Sequence, residues 1–464
     1  MKKKVLSALL VSAMTVSMVA GCGSSSSSDS ASSDTTETAE TEAAETEAAE
    51  TEAAEDAEST DEAAGGENKL TVYAWDANFN IPALEAAEAD YQANVDPDFD
   101  LEIIEQSQSS DVEDAVTLAG SSGDYSTLPD IVLFQDHYIQ RYVADYPDAW
   151  VDATDAEGMD WDNVGAEKLS YSTIDGKHYG FPVDNGTAIF AYRTDILEEC
   201  GYTIDDMTGI SWADFISIGE EVYAKTGKYL LSMDGSGNDL IYMMMQAEGA
   251  SQFKDGAIDI VGNETAERVI ATIVEMAQKN VLYLANDWSD YTDQTIVGDM
   301  VAGVMNGNWI IPTIEQVSEN AGKWEITSLP TLDGGEGYAA NGGSSLYITA
   351  NCQNVDLAKK FLAYTFGGST VTYDAALTNG GVISCCATAA ESDVYQQGVD
   401  YFNGQAIYAK IVEMGTNVPV VEQNDFHYTA RENLGNAIIN AVNGSDLATE
   451  LQNAQDQISF AMGN

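Results

Sequence analysis

Basic residues are scarce in this chain. Its 464 residues include only 18 Lys and Arg against 77 Asp and Glu, which gives a formal net charge of −59 at pH 7. A surface of this sign repels phosphate backbones, which excludes nucleic acid as a partner. The same charge argues against an anionic ligand unless a local basic pocket exists, and it is typical of solubility outside the cell.

Histidine and cysteine are also rare. Only three His residues are present, and none lies near another in the sequence: His137, His178 and His427. This spacing shows no metal-binding motif, and the absence of a Cys-x-x-Cys pair leaves a zinc knuckle or a thioredoxin-like site unsupported. Apart from one Cys near the N-terminus, four Cys permit disulfides without requiring them, with buried free thiols as the alternative: Cys200, Cys352, Cys385 and Cys386.

The sequence lacks the familiar motifs of enzyme active sites. It has no Gly-x-Ser-x-Gly elbow and no phosphate-binding P-loop. The segment from Gly335 to Ala340 superficially fits a dinucleotide fingerprint, but it follows a loop-like stretch and no clear helix comes after it. Carboxylate pairs of the kind that a glycosidase uses arise by chance in so acidic a chain. The sequence therefore predicts a protein that is not an enzyme and holds no cofactor or metal.

Long hydrophobic runs are confined to the N-terminus. Three Lys residues precede an apolar stretch from Val5 to Ala20, which has the length of a signal-peptide core and is short for a membrane span. The stretch leads into Val19-Ala20-Gly21-Cys22, which resembles the bacterial lipobox. We expect residues 1–21 to be a lipoprotein signal peptide and Cys22 to carry a lipid anchor. A plain secretory signal with an incidental Cys is the alternative.

Residues 22–67, which begin at the Cys expected to be lipidated, are predicted to form a disordered acidic tether. From Gly23 to Glu67 there is no basic residue and almost no large apolar one, so this segment cannot bury enough surface to fold. Its Glu-Ala repeats place Glu residues three apart without a Lys partner, which disfavours a helix. The expected location is the outer face of the cytoplasmic membrane, and Gly23 with the long tether suits a Gram-positive surface.

The rest of the chain alternates predicted strands and helices. Strands are predicted over Lys69–Trp75, Leu101–Glu105 and Asp130–Phe134, and helices over Pro82–Ala93, Asp111–Leu118, Thr265–Lys279, Val355–Phe366 and Glu432–Val442. This order favours a parallel α/β sheet covered by helices. Ligands of such sheets bind beyond the carboxyl ends of the strands, which makes the following residues candidates for the site: Trp75, Asp76, Gln106, Ser107, Gln135 and Asp136.

Four further motifs follow one another along the chain. They are Gly176-Lys177-His178-Tyr179-Gly180-Phe181-Pro182 with Tyr192-Arg193-Thr194-Asp195; Ser211-Trp212-Ala213-Asp214-Phe215; Gly303-Val304-Met305-Asn306-Gly307-Asn308-Trp309; and Gly342-Gly343-Ser344-Ser345-Leu346-Tyr347-Ile348. Together they resemble family 1 extracellular solute-binding proteins, which include maltose-binding protein, from Leu70 to the C-terminus. Within the second motif we expect Trp212 to be structural, with Ser211 as a helix cap.

The resemblance implies the type II fold of periplasmic binding proteins. In this α/β fold two lobes, each discontinuous in sequence, enclose a hinge cleft. The N-terminal lobe is expected over residues 68–185 and about 343–395, and the C-terminal lobe over 186–342 and about 396–464. Crossings between the lobes would fall near residues 184–187, near 341–344 and after Cys386, and the lobes would close around the ligand by hinge motion.

The resemblance also implies a set of ligand-binding residues: Trp75, Asp76, Gln135, Asp136, Asp184, Asn185, Asp239, Trp309, Gly343 and Ser344. Trp309 matches the family Trp that stacks on a sugar ring, and Asp136 follows a strand after which the family often places a sugar-binding carboxylate. Relatives place another aromatic residue in the region of Tyr428. Structural roles are the alternative, with Trp309 in the core and Asp76 or Asp136 as helix N-caps.

The function implied by the resemblance is the capture of a small carbohydrate for an ABC importer. The expected partners are the carbohydrate, the permease subunits in the membrane and, through the lipid anchor, the membrane itself, with the chain as a monomer. Two alternatives stay open. The same fold could bind a peptide, a polyamine or a metal chelate, and a cationic ligand would suit the acidic surface. The second alternative is an extracellular glycosidase.

Overall fold

The computed structural model describes residues 68–77, 79–234 and 239–463. The predicted signal peptide, Cys22 and the acidic tether lie outside these ranges. Within them, no helix combines the length and the apolar character that crossing a membrane requires. The four Cys residues of the described part are free thiols. Of the two alternatives that the sequence left open, the structure therefore has free thiols and not disulfides.

Strands and helices alternate along much of the described chain. The strands are β1 (Lys69–Ala74), β2 (Asp100–Glu105), β3 (Ile131–Gln135), β4 (Thr173–Ile174), β5 (Lys177–His178), β6 (Gly180–Asp184), β7 (Ala188–Arg193), β8 (Leu231–Asp234), β9 (Phe253–Lys254), β10 (Ala257–Ile258), β11 (Leu282–Ala285), β12 (Gly303–Gly307), β13 (Trp324–Thr327) and β14 (Ser344–Ile348). The α-helices are α1 (Asn80–Asn94), α2 (Ser109–Ser122), α3 (Asp136–Asp145), α4 (Ala166–Ser172), α5 (Thr194–Cys200), α6 (Ile204–Met207), α7 (Trp212–Thr226), α8 (Asp239–Ala247), α9 (Glu264–Gln278), α10 (Ile311–Glu315), α11 (Val355–Gly368), α12 (Thr370–Gly380), α13 (Ile407–Thr416), α14 (His427–Val442) and α15 (Leu447–Ala461). A π-helical segment covers Asp290–Val297, and a 3-10 turn covers Asn308–Ile310.

The first lobe is built on a five-stranded sheet in the order β2-β1-β3-β14-β6. Strands β1, β2 and β3 are parallel, as the alternating sequence predicts. Strand β14, which was not among the predicted strands, runs antiparallel to both β3 and β6. Strand β14 is antiparallel because the chain enters this sheet from the second lobe, and not through a helix packed on the same sheet.

Both faces of the five-stranded sheet are buried. In β3, Ile131 and Leu133 belong to the apolar cluster on one face, and Val132 and Phe134 belong to the cluster on the other. Successive side chains of a strand point to opposite faces, so a continuous apolar run is what a sheet covered on both sides requires. The carboxyl ends of β1 and β3 then meet at one edge of the sheet.

The second lobe contains the antiparallel sheet β12-β7-β13 and the parallel pair β8-β11. Helices α7, α8, α9, α14 and α15 contribute to its largest apolar cluster. In α9 the predicted apolar face is confirmed, because Val269, Ile273 and Met276 are fully buried. At the start of α7 the Ser211 side chain accepts a hydrogen bond from the Asp214 backbone N–H, which confirms the predicted cap.

The chain passes between the two sheets at neighbouring points. Residues 185–187 join β6 to β7, and residues 328–343 join β13 to β14. The two connections pair side by side, with a bridge between Thr187 and Ala340 and a 2.8 Å hydrogen bond from the Asn341 N–H to the Gly186 carbonyl. After α12, Ile383 packs in a cluster with β7 of the second lobe. The predicted limits of the lobes stay a prediction.

Candidate functional site

A cavity of about 730 Å³ lies between elements of the two lobes, a size typical of small-molecule sites. Its lining includes these predicted site residues: Trp75, Asp76, Gln135, Asp184, Asp239, Trp309, Gly343 and Ser344. Two predicted residues, Asp136 and Asn185, are not part of the lining. Tyr428, in the region where the resemblance implies another aromatic residue, also lines the cavity with its neighbours His427 and Arg431. Residues that the sequence-based prediction did not select are Phe79, Asn80, Ser109, Ser110, Glu113, His137, Tyr138, Trp288, Pro312, Asn341, Gly342 and Gly380.

The carboxyl ends of two parallel strands bring the first group of lining residues together. Strand β1 ends just before Trp75, and its neighbour β3 ends at Gln135. The Gln135 side chain is held by its Nε2 atom, which donates a 3.0 Å hydrogen bond to Ser109 Oγ. Asp76 has a positive φ of 66°, and its carbonyl accepts from the N–H groups of Phe79 and Ile81. This turn leads the chain from the sheet edge into α1.

The second group of lining residues comes from the connections between the lobes. The Ser344 N–H and Oγ both donate to Asp184 Oδ1, at 3.0 and 2.6 Å. Burial raises the pKa of the Asp184 carboxyl, and the nearby Lys168 ammonium opposes that rise. Asp184 therefore ties the end of β6 to the start of β14 at the floor of the cavity.

Asp136 is a buried ion-pair partner and not a lining residue. Its Oδ2 atom accepts a hydrogen bond from Lys168 Nζ, and its Oδ1 atom accepts one from Ser345 Oγ at 3.0 Å. Lys168 Nζ also donates to the Ser344 carbonyl at 2.8 Å. Burial raises the pKa of Asp136 to about 6, although Lys168 pulls it down. Both oxygens are thus engaged within the protein. Asp136 is the first residue of α3, which Gln135 precedes as the cap residue, so the expectation of a helix cap is wrong. The expected contact with a ligand stays a prediction.

Asn185 is the first residue of the connection between β6 and β7, and it lines a separate small void. Its Nδ2 atom donates a 3.1 Å hydrogen bond to Thr187 Oγ1. The void of about 10 Å³ that it lines also contacts Asn308 and Ser384, and it is large enough for roughly one water molecule. Asn185 is thus placed to fix the connection between the lobes.

Two indole rings form an apolar part of the cavity wall. Trp309 is oriented by its Nε1–H, which donates a 2.7 Å hydrogen bond to the Asn341 carbonyl. Trp288 lies beside it, with ring centroids 5.8 Å apart and planes inclined by 39°. Trp288 is 46% exposed, an unusual amount for such an apolar side chain. No sequence motif marks Trp288, and only its position next to Trp309 in the fold identifies it.

A second aromatic group joins α3 of the first lobe to α14 of the second. The His137 and His427 rings stack with centroids 4.4 Å apart, and the Tyr138 and Tyr428 rings stack with centroids 4.2 Å apart. His137 Nε2 accepts a 3.2 Å hydrogen bond from the Gly342 N–H. His137 and Tyr138 follow directly on Gln135 and Asp136, so their position after β3 is the signal that could have found them.

Acidic side chains outnumber Lys and Arg in the cavity wall. Carboxyl groups of four residues contribute to it: Asp76, Glu113, Asp184 and Asp239. Burial, with a further contribution from Asp114, raises the pKa of Glu113 to about 7. Arg431 is the one Lys or Arg among the described lining residues, and its Nε lies 2.9 Å from Asp239 Oδ1. In the described part of the chain, no three His, Cys, Asp or Glu side chains are grouped to hold a metal ion.

Comparison with known proteins identifies a family. Residues 86–403 match the family model described as bacterial extracellular solute-binding protein. The lactose-binding protein of Rhizobium radiobacter is 32% identical over 361 residues, which cover 77% of this chain and 84% of that protein.

Two solved structures share the fold at low sequence identity. The sugar-binding protein MalE of Xanthomonas citri has a TM-score of 0.69 and 16% identity, over 85% of this chain and 97% of that one. The galacto-N-biose-/lacto-N-biose I-binding protein of Bifidobacterium longum, solved with lacto-N-biose, has a TM-score of 0.68 and 16% identity over the same shares. The predicted two-lobed fold is confirmed, and the chain belongs to the family of bacterial extracellular solute-binding proteins.

Proposed function

We propose that this chain is the substrate-binding component of an ABC carbohydrate importer and binds a sugar or short oligosaccharide in the cavity between its lobes. One observation carries the proposal. The cavity wall combines two adjacent indole rings, Trp309 and Trp288, with carboxyl and amide groups at the strand ends. Apolar ring faces and paired polar groups are the two surfaces that a sugar requires.

The chemistry of such a wall fits a sugar on both counts. One face of a pyranose ring carries C–H groups, which pack on an aromatic ring. Its hydroxyls donate to carboxylate oxygens and accept from amide N–H groups, and Asp184, Asp239 and Gln135 offer both kinds of partner. A buried polar group left without its hydroxyl costs free energy, so these partners also give selectivity.

The relatives support a carbohydrate as the ligand. The lactose-binding protein of Rhizobium radiobacter aligns over most of both chains, and the two solved relatives are also named for sugars. These relatives are binding proteins and not enzymes, which supports a chain that captures its ligand without altering it. Delivery to the transmembrane permease would follow from closure of the lobes at residues 185–187 and 340–344.

The finer features of the proposal rest on the sequence. The Gly21-Cys22 motif supports a lipid anchor on the outer face of the cytoplasmic membrane, and the acidic tether supports a Gram-positive surface. We further propose that the chain acts as a monomer, with lobes formed by residues 68–185 with about 343–395 and by 186–342 with about 396–464. Asp136 and Asn185 leave the list of ligand contacts, and Trp288 joins it.

The acidic wall favours a second candidate, a cationic solute such as a polyamine. Asp76, Asp184 and Asp239 would attract an ammonium group, whereas the indole faces would contribute less. A panel that contains both neutral sugars and polyamines separates the two candidates.

The testing experiment is a thermal-shift panel on the purified protein. It contains lactose, other disaccharides, short neutral oligosaccharides, simple sugars and spermidine. A ligand at about a hundred times its Kd stabilises the native state by roughly 2.7 kcal/mol, which raises the melting temperature. We expect a neutral carbohydrate to give this response, and the Trp309→Ala variant to weaken its binding about tenfold. Trp309→Phe, which keeps an aromatic face, is the matched control. A response to spermidine alone would favour the second candidate.

A further inference from the structure

The two lobes touch across the cavity at a pair of tyrosines. Tyr138 belongs to α3 of the first lobe, and Tyr428 belongs to α14 of the second. Their rings are nearly parallel, with centroids 4.2 Å apart and planes inclined by 9°. Both side chains line the cavity. The pair is therefore a part of the wall to which each lobe contributes one ring.

No ligand fits between these two rings. Carbon atoms in contact lie about 3.5–4.0 Å apart, so the rings are already in contact with each other. A sugar ring inserted between them would have to separate them to about twice that distance. The His137 and His427 rings, which also line the cavity, are stacked as well, with centroids 4.4 Å apart, and both are buried. Two stacked pairs of rings therefore join the lobes.

Tyr428 is held in place by its own lobe. The Arg431 guanidinium, one helical turn further along α14, lies 5.4 Å from the centroid of the Tyr428 ring. Arg431 is itself fixed by Asp239 at the start of α8, at 2.9 Å. The Tyr428 hydroxyl reaches towards Gln135 Oε1 of the first lobe, at 3.4 Å. These contacts position the ring before any ligand arrives.

We propose that the Tyr138–Tyr428 pair is an end wall that blocks extension of a bound saccharide on its side of the cavity. The inference rests on the proposed function. A terminal sugar unit lies against the two rings, so the site recognises one end of a short oligosaccharide.

The experiment uses end-extended ligands on the purified protein. The starting ligand is the shortest neutral saccharide that the wild type binds, and its two derivatives carry one extra sugar unit at the reducing or at the non-reducing end. We expect one of the two extensions to weaken wild-type binding at least tenfold in calorimetric titrations. In the Tyr138→Ala, Tyr428→Ala double variant, that same extension should cost less than threefold.

Matched variants show whether the two tyrosine rings act as a wall or in another role. The Tyr138→Phe, Tyr428→Phe variant keeps both rings and should retain the wild-type discrimination. The single Tyr138→Ala variant, at a half-buried position, should lose part of the discrimination against the extended ligand. It replaces the double variant in the experiment if the double variant does not fold. Melting temperatures without ligand report folding.

Three outcomes would overturn the inference. Wild-type protein that tolerates both extensions equally has no end wall at this point. A double-alanine variant that loses the starting ligand and both derivatives to the same degree uses the rings as a binding platform. If the double-alanine variant still distinguishes the two derivatives as the wild type does, another residue prevents extension of the ligand. If wild-type protein binds no carbohydrate at all, the proposed function fails and the inference fails with it, an outcome distinct from the other three.

Discussion

The His137 ring lies flat on the His427 ring across the boundary between the lobes, with centroids 4.4 Å apart and planes inclined by 4°. The Tyr171 ring is nearly perpendicular to His137, and the Tyr242 ring is nearly perpendicular to His427. Burial lowers the pKa of His427 to about 3, and the Arg431 charge adds to that shift. Burial also lowers the pKa of His137, with contributions from His427, Arg431 and Lys168. The native state therefore holds both rings neutral.

Acid should weaken the fold through this pair. The unfolded chain protonates His near pH 6.5, whereas the native state does not. The stabilisation is complete above that pH and is lost as the pH falls towards the native pKa, by up to about 1.4 kcal/mol per pH unit and residue. Between pH 6.5 and 5.0 the wild type should lose about 1.6 kcal/mol more of its free energy of unfolding than His427→Phe, measured by urea denaturation. Equal losses would contradict the prediction.

Glu167 should act in the opposite direction. Its Oε1 accepts a 3.1 Å hydrogen bond from Gln246 Nε2, and burial raises its pKa to about 7 despite the bonds to Tyr171 and Gln246. A raised acid pKa gives stability that is present below the unfolded value, near 4.3, and is lost as the pH rises through 7. Glu167→Gln removes this titration, so the difference between wild type and variant in free energy of unfolding should shift in favour of the variant from pH 5 to pH 8.

The buried Asp136–Lys168 pair should be far more important to stability than a surface pair. Both side chains are fully buried, so the loss of one partner leaves an uncompensated charge. Lys168→Met should lower the free energy of unfolding by about 3–5 kcal/mol. The control is Lys279→Met, which removes exposed pairs with Glu220 and Glu275 and should cost about 1 kcal/mol or less. Similar losses for both variants would show that Asp136 carries no uncompensated charge once Lys168 is removed.

Gly343 should tolerate no side chain. It has a φ of +102°, and a Cβ atom there would lie 2.6 Å from Asp136 Oδ2. Gly123 also has a positive φ, +68°, but has nothing within 4 Å of a Cβ position. Gly123→Ala should cost roughly 1–2 kcal/mol for its backbone conformation alone. Gly343→Ala should cost about 1–3 kcal/mol more, because the added methyl overpacks the buried ion pair. Urea denaturation of the two variants checks the difference.

The acidic cavity wall should discriminate against acidic sugars. Among the described lining residues Arg431 is the one cation, and it lies against Asp239. A carboxylate on the ligand would be repelled by Asp184 and Asp239 in a partly desolvated site. The uronic-acid counterpart of a bound neutral sugar should therefore bind at least tenfold more weakly in calorimetric titrations. Glu113→Gln should reduce that penalty only above about pH 7, where the Glu113 carboxyl is ionised.

Local sequence patterns predict the regular elements well. The predicted strand over Leu101–Glu105 is observed as Asp100–Glu105, and the predicted helix over Thr265–Lys279 is observed as Glu264–Gln278. These segments carry period-two or helical apolar patterns, which neighbouring residues largely decide. The helix predicted from Glu432 starts earlier, at His427, because its first turn packs against α3 of the other lobe and has no apolar pattern of its own.

The sequence predicts those site residues that follow directly on the ends of neighbouring parallel strands. Trp75 and Gln135 lie at one sheet edge because parallel neighbouring strands end there, which the alternation of strands and helices already implied. Asp136 has the same position in the sequence pattern, yet its side chain turns to Lys168, a residue 32 positions further along. Only the packing of α4 against α3 decides between a cavity wall and a buried ion pair.

The sequence by itself determined the acidic character, the alternation of elements, the family motifs and the strand-end residues, because each depends on residues close together in the chain. The tertiary structure decided which distant side chains meet. The stacked pairs between α3 and α14 join residues some 290 positions apart. Trp288, just before the π-helical segment, joins the cavity wall only because the fold brings it beside Trp309. Such contacts depend on the path of the whole chain between two sheets, and no local pattern encodes that path.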